Sequence, residues 1–170
     1  MASLRSRAPI LLTLGALVAA LAAPVAAASA AGGGDSASGQ GTQFGTTFDF
    51  SGRSTNVNTD ARGRIRLTNT SSDPNDVYTA EVTCMRVVGA TATTPAMAVL
   101  IGRIVDQPAG SGALSIQVHA ADHGKFSNVP DAANVFLSGT PAPPDGSCPA
   151  PFQFISPLAD GTVTINNTLP

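Results

Sequence analysis

The stretch Val77-Tyr78-Thr79-Ala80-Glu81-Val82-Thr83-Cys84 alternates residue by residue: Tyr78, Ala80, Val82 and Cys84 fall on one side, Val77, Thr79, Glu81 and Thr83 on the other. Successive side chains of a β-strand point to opposite faces, so this period of two reads as a strand with one face in a core and one in water. The same pattern recurs outward from it. In 62–68, Ile65 and Leu67 alternate with Arg62, Arg64, Arg66 and Thr68; in 113–121, Leu114, Ile116, Val118 and Ala120 oppose Ser115, Gln117, His119 and Ala121. In 44–51, Phe44, Phe48 and Phe50 share a face, and in 161–167 Val163 and Ile165 alternate with Thr162, Thr164 and Asn166. The run 96–105 is apolar on both faces until Arg103 and predicts a central strand. Shorter strands are predicted at 85–88, 133–138 and 151–155.

Turn-forming clusters separate these runs, at Asn56 to Gly63, Ser71 to Asp76, Gln107 to Gly112, Asp122 to Asp131, and the Pro-rich Thr140 to Pro151. Apolar residues nowhere recur at helical spacing for three turns. The predicted fold is all-β, an antiparallel sandwich or small barrel of about 8–9 short strands.

Ahead of this domain, Arg5 and Arg7 precede an uncharged, Ala- and Leu-dominated run from Ala8 to Ala31. That order is the n-region and h-region of a secretory signal, with A-x-A cleavage sites after Ala28 or Ala30. Residues 1–30 are therefore read as a signal peptide, and 31–43 as a flexible Gly/Ser leader too poor in apolar side chains to pack. Residues 44–170 are read as a single all-β domain. The predicted location is secreted or cell-envelope, with no stable membrane span after cleavage. The rival reading is a permanent anchor, since the run is long enough to cross a bilayer core that needs about 20 residues.

Beyond residue 30 the chain carries seven Lys and Arg against eleven Asp and Glu, a formal charge of −4. Such a balance gives no long-range attraction for nucleic acid or anionic lipid. Two cysteines, Cys84 and Cys148, lie in this part; in an exported chain with no third thiol they read as one disulfide.

The segment Val82-Thr83-Cys84-Met85-Arg86-Val87-Val88-Gly89-Ala90-Thr91-Ala92 resembles a family of exported bacterial domains, common in actinobacteria, that read V-T-C-L-x-V-x-G-N-x-A there. The likeness continues through Leu114-Ser115-Ile116-Gln117-Val118, Asp122-His123-Gly124, Pro130-Asp131 and Gly161-Thr162-Val163-Thr164-Ile165. The chain is similar to what has been called the post-COAP-1 type domain. It departs from the pattern at Ala90 and His123, where the family has Asn, and in a longer 90–101 connection. The resemblance implies an all-β fold and export, and brings no catalytic residue.

Two constellations are candidates for function. His119, Asp122, His123 and Asp131 contain imidazoles and carboxylates that could bind a transition metal or supply a general base. Against this, His119 is placed on a polar strand face, and Asp122-His123-Gly124 is turn chemistry in its own right. Arg62, Arg64 and Arg66 stand two apart and share a strand face, a stripe able to grip an anionic partner through guanidinium forks. Cross-strand pairing with Glu81 and neighbouring acids is the plainer use of the same residues.

No G-x-S-x-G is present, Glu81 is the sole glutamate, and the aspartates fall mostly in turns, where solvated caps are favoured over Ca²⁺ ligation. The sequence therefore leans toward an exported non-enzymatic domain without cofactor, binding an extracellular polymer or protein. The alternative is a small secreted enzyme or ligand carrier with a pocket inside a barrel, lined by Phe44, Phe48, Phe50, Phe152 and Phe154.

Overall fold

Among the described residues the chain forms eight strands: β1 (Asp35–Gln43), β2 (Thr46–Ser54), β3 (Arg62–Asn69), β4 (Asp76–Val88), β5 (Ala96–Asp106), β6 (Ser115–Asp122), β7 (Ala132–Ser138) and β8 (Asp160–Asn166). The computed structural model describes residues 34–55, 60–70, 76–124, 128–144, 147–152 and 155–168, all within one compact unit, Ala31–Pro170. The predicted signal peptide lies outside the described residues.

Every neighbouring pair is antiparallel, in the order β7-β6-β5-β4-β3-β2-β1-β8, and the sheet curls into a nearly closed barrel. The architecture is thus the barrel alternative of the all-β prediction. The interior holds Phe48 and Phe50 from β2, Ile65 and Leu67 from β3, Leu100 from β5, Ile116 and Val118 from β6, and Val163 and Ile165 from β8.

The predicted leader is corrected by β1. Residues 35–43 pair with β2 along their whole length and with β8 on the other side, so they are an interior member of the sheet. The physical reason lies in the glycines. An ideal Cβ on Gly39 would stand 2.7 Å from the Phe50 ring, and one on Gly41 would stand 3.3 Å from that of Phe48. The missing side chains leave space that the neighbouring rings fill, as aromatics do over strand glycines. A stretch with few apolar residues of its own is buried by its partner's.

The predicted strand at 44–51 is displaced for a related reason. Phe44 and Gly45, with φ of 48° and 73°, form the two-residue turn between β1 and β2. Positive φ at both central positions matches the twist of a tight hairpin. Phe44 is consequently 85% exposed and shares no interior face with Phe48 and Phe50.

β4 merges the predicted strands 77–84 and 85–88, and a register shift between Val82 and Cys84 breaks its alternation. Val82 pairs with Gly102 and Cys84 with Ile101, so Thr83 is the extra residue of a β-bulge. Tyr78, Ala80 and Val82 stay in the barrel core, while Cys84 turns to the outer face with Val99 and Ile101. β5 is buried on both faces as predicted: Ala98 and Leu100 point inward, Val99 and Ile101 outward. Of the predicted strand at 151–155, residues 151, 152 and 155 are irregular, and 153–154 lie outside the described residues.

Candidate functional site

The outer faces of β4, β5 and β6 are covered by a Pro-rich strap described at residues 139–144 and 147–152. Cys84 is disulfide-bonded to Cys148, with Cα atoms 5.4 Å apart. The Ser115 hydroxyl donates to the Thr140 carbonyl at 2.8 Å, and the Thr83 hydroxyl to that of Pro143 at 3.3 Å. Further along, the Phe152 amide donates to His119 Nδ1 at 3.1 Å, and the Phe152 ring stacks on the imidazole with centroids 3.8 Å apart. Phe136 of β7 lies parallel to the same imidazole at 5.9 Å.

This strap corrects the reading of His119. It does point to the outer face of β6, opposite Val99, but it is 0% exposed because the strap lies over it. With Nδ1 accepting a hydrogen bond, the neutral ring carries its proton on Nε2. That atom finds no partner among the described residues. Burial lowers the His119 pKa to about 4, because charging the ring inside an apolar sandwich forfeits hydration.

Asp122 and Asp131 have a different task. The seam of the barrel lies between β8 and the β6–β7 side of the sheet, where the backbone ladder is incomplete. Asp122 accepts the Ile165 amide through Oδ2 at 2.9 Å and the Gly124 amide through Oδ1 at 2.8 Å. Asp131 accepts the Val163 amide through Oδ2 at 2.8 Å and the His123 amide through Oδ1 at 3.0 Å. Each carboxylate ties a turn to the free edge of β8 and supplies acceptors that a further strand would have supplied. The Leu158 amide donates to the Asp131 carbonyl and the Ala133 amide to that of Ser156, continuing the closure.

His123 stands at one mouth of the barrel, half-buried, beside an open groove of about 490 Å³ lined by residues 90–96, Asp122, Gly124 and Ile165. It is four strand residues from His119, about 13 Å along an extended chain. The four candidate metal or base residues thus divide into a strap anchor, two seam clasps and a rim residue. No three His, Cys, Asp or Glu among the described residues come together as a ligand set.

The aromatic set proposed for an interior pocket is also divided. Phe48 and Phe50 are core, Phe44 is at a turn tip, Phe152 is half-exposed in the strap, and Phe154 lies outside the described residues. The interior is tightly filled where β2 approaches β5: a Cβ on Gly52 would stand 2.5 Å from Leu100 Cδ2.

Arg62, Arg64 and Arg66 share the exposed outer face of β3. In the register, Arg64 lies between Ser51 and Glu81, Arg66 between Asp49 and Thr79, and Arg62 opposite Arg53. Arg103 of β5 is across from Glu81 and pairs with it at 3.6 Å. Among the described residues no carboxylate pairs with Arg53, Arg62, Arg64 or Arg66. Residue spacing alone does not link Arg53 to the stripe; the link comes from the β2–β3 register. Five of the seven Lys and Arg beyond residue 30 therefore gather on the outer face of β2, β3 and β5.

No protein-family model, curated protein or solved structure matches this chain.

Proposed function

We propose that the protein is an exported, non-enzymatic binding domain that engages an extracellular polymer through the outer face of β2, β3 and β5. The observation that carries this reading is the gathering of Arg53, Arg62, Arg64, Arg66 and Arg103 on one exposed sheet surface, in a chain whose net charge is −2. The groups that would do chemistry are spent on architecture: Asp122 and Asp131 hold the seam, and His119 is covered by the strap. The Cys84–Cys148 disulfide is compatible with an extracytoplasmic location, and the charged start followed by an apolar run supports export. The likeness to the post-COAP-1 type domain points the same way.

The test is capture of isolated cell-envelope polymers and secreted proteins by the mature protein. Arg64→Ala combined with Arg66→Ala weakens the capture, and the difference shrinks as salt is raised, because exposed charges are screened over about 10 Å at 0.1 M. Changing His119 and His123 leaves capture intact, whereas turnover or a stoichiometric metal lost with those histidines overturns the reading.

A further inference from the structure

Resting on that reading, we infer that Arg53 and Arg62, with Arg64 beside them, form a subsite for tetrahedral oxyanions, the sulfate ester or phosphodiester groups of a linear polymer. The register sets Arg53 of β2 directly across from Arg62 of β3. Directly opposed side chains have Cβ atoms about 5 Å apart, and like charges in that relation repel. Elsewhere on this face the arrangement is compensating: Arg66 faces Asp49, Arg64 faces Glu81, and Arg103 is ion-paired with Glu81. At the Arg53–Arg62 end no acid is across the ladder. The nearest turn supplies one, Asp60, but its carboxylate accepts from the Ser54 hydroxyl and from the Thr55 amide and hydroxyl, which draws it into the turn.

Two opposed guanidinium forks suit a tetrahedral oxyanion, which presents three terminal oxygens as a sulfate ester and two as a phosphodiester. A sulfate ester or phosphodiester accepts N–H donors from both arginines at once, whereas a planar carboxylate is satisfied by one fork. Arg64 follows Arg62 by two residues, about 6.8 Å along the strand, so a second oxyanion of the same polymer reaches the next guanidinium. Bound anion replaces the Arg53–Arg62 repulsion with two charge-assisted contacts.

The experiment measures affinity of the intact secreted protein for dextran sulfate, poly(glycerol phosphate) and polygalacturonate, and follows its Tm with each. Expected is binding to the sulfated polymer, the phosphodiester polymer or both, with polygalacturonate at least tenfold weaker; the first two arms distinguish the source of the oxyanion. Arg53→Gln and Arg62→Gln each lower that affinity at least fivefold, and Arg86→Gln, a half-buried arginine of β4 outside the proposed binding face, lowers it less than twofold. Without polymer, Arg62→Gln leaves Tm unchanged or raised, since it relieves a like-charge contact. Equal binding of polygalacturonate, equal loss in Arg86→Gln, or a lowered Tm in Arg62→Gln overturns the subsite. If an envelope polymer is captured by Arg53→Gln and Arg62→Gln as by wild type, the subsite is wrong and the binding function stands. If no polymer is captured at all, both fall.

Discussion

Asp131 holds Val163: its Oδ2 accepts the Val163 amide at 2.8 Å, joining the turn before β7 to the free edge of β8. With the matching bond from Ile165 to Asp122, two side chains do at the seam what a backbone ladder does elsewhere in the barrel. Removing one carboxylate leaves amides of the β8 edge and of the adjoining turn without acceptors. Hydrogen bonds to charged groups contribute about 1.5–3 kcal/mol each. Asp131→Ala, which removes two such bonds, is therefore expected to lower unfolding free energy by about 3–6 kcal/mol in denaturant titration. Asp131→Asn, which keeps one oxygen acceptor, costs less. Amide exchange at Val163 should accelerate in Asp131→Ala ahead of exchange in β4 and β5; unchanged protection would show that the seam does not depend on this carboxylate.

Gly39 is the second test of how the barrel closes. A methyl group there meets the Phe50 ring at 2.7 Å and the Thr162 carbonyl at 3.0 Å, on both neighbouring strands. Gly39→Ala is expected to destabilise by about 1–3 kcal/mol, the usual cost of overpacking a filled site. Phe50→Leu removes the ring and should recover part of that loss, so the double variant is more stable than the sum of the single effects allows. Strict additivity in chemical denaturation would locate the strain elsewhere.

The disulfide fixes the strap to the bulge of β4. Cys84 and Cys148 are 64 residues apart, and closing a loop of that length removes about 4 kcal/mol of chain entropy from the unfolded state. Cys84→Ala combined with Cys148→Ala is expected to lower Tm by several degrees or more. Non-reducing peptide mapping of secreted protein should recover the Cys84–Cys148 peptide; free thiols there would refute the bond.

The strands with strict alternation or a doubly apolar run were legible in the sequence, because core and water impose a period of two. β5 is the clearest case, since Val99 and Ile101 face outward and are still buried. Three features were not legible, each because a partner distant in sequence supplies the cause. β1 has too few apolar residues to announce itself, and its burial comes from Phe48 and Phe50 across the ladder. The bulge at Thr83 turns Cys84 out of the face that alternation assigned it. His119 follows a polar pattern with Ser115 and Gln117, and only the strap, through Thr140 and Phe152, makes that face an interior. At the candidate site the shared face of Arg62, Arg64 and Arg66 followed from spacing alone, and the opposed Arg53 needed the strand register.

His119 makes the strap sensitive to acid. Its pKa is about 4 in the folded protein, lowered by burial, against 6.5 for the free side chain. The unfolded chain therefore binds a proton in the interval from 6.5 down to 4 that the folded chain refuses, so the stability present above pH 6.5 is lost as pH falls through that window. At 1.36 kcal/mol per unit, going from pH 6.5 to 5 costs on the order of 2 kcal/mol from this residue. Protonation also converts Nδ1 from acceptor to donor facing the Phe152 amide, so the end of the strap beyond Cys148 should loosen first. Expected is faster amide exchange at Phe152 at pH 4.5 than at pH 7, with β3 and β5 still protected. His119→Phe has no proton to bind; it loses the acceptor at every pH, and its stability should fall less steeply than that of wild type between pH 6.5 and 4. Parallel pH profiles for the two proteins would mean that other groups, and not His119, set the acid sensitivity.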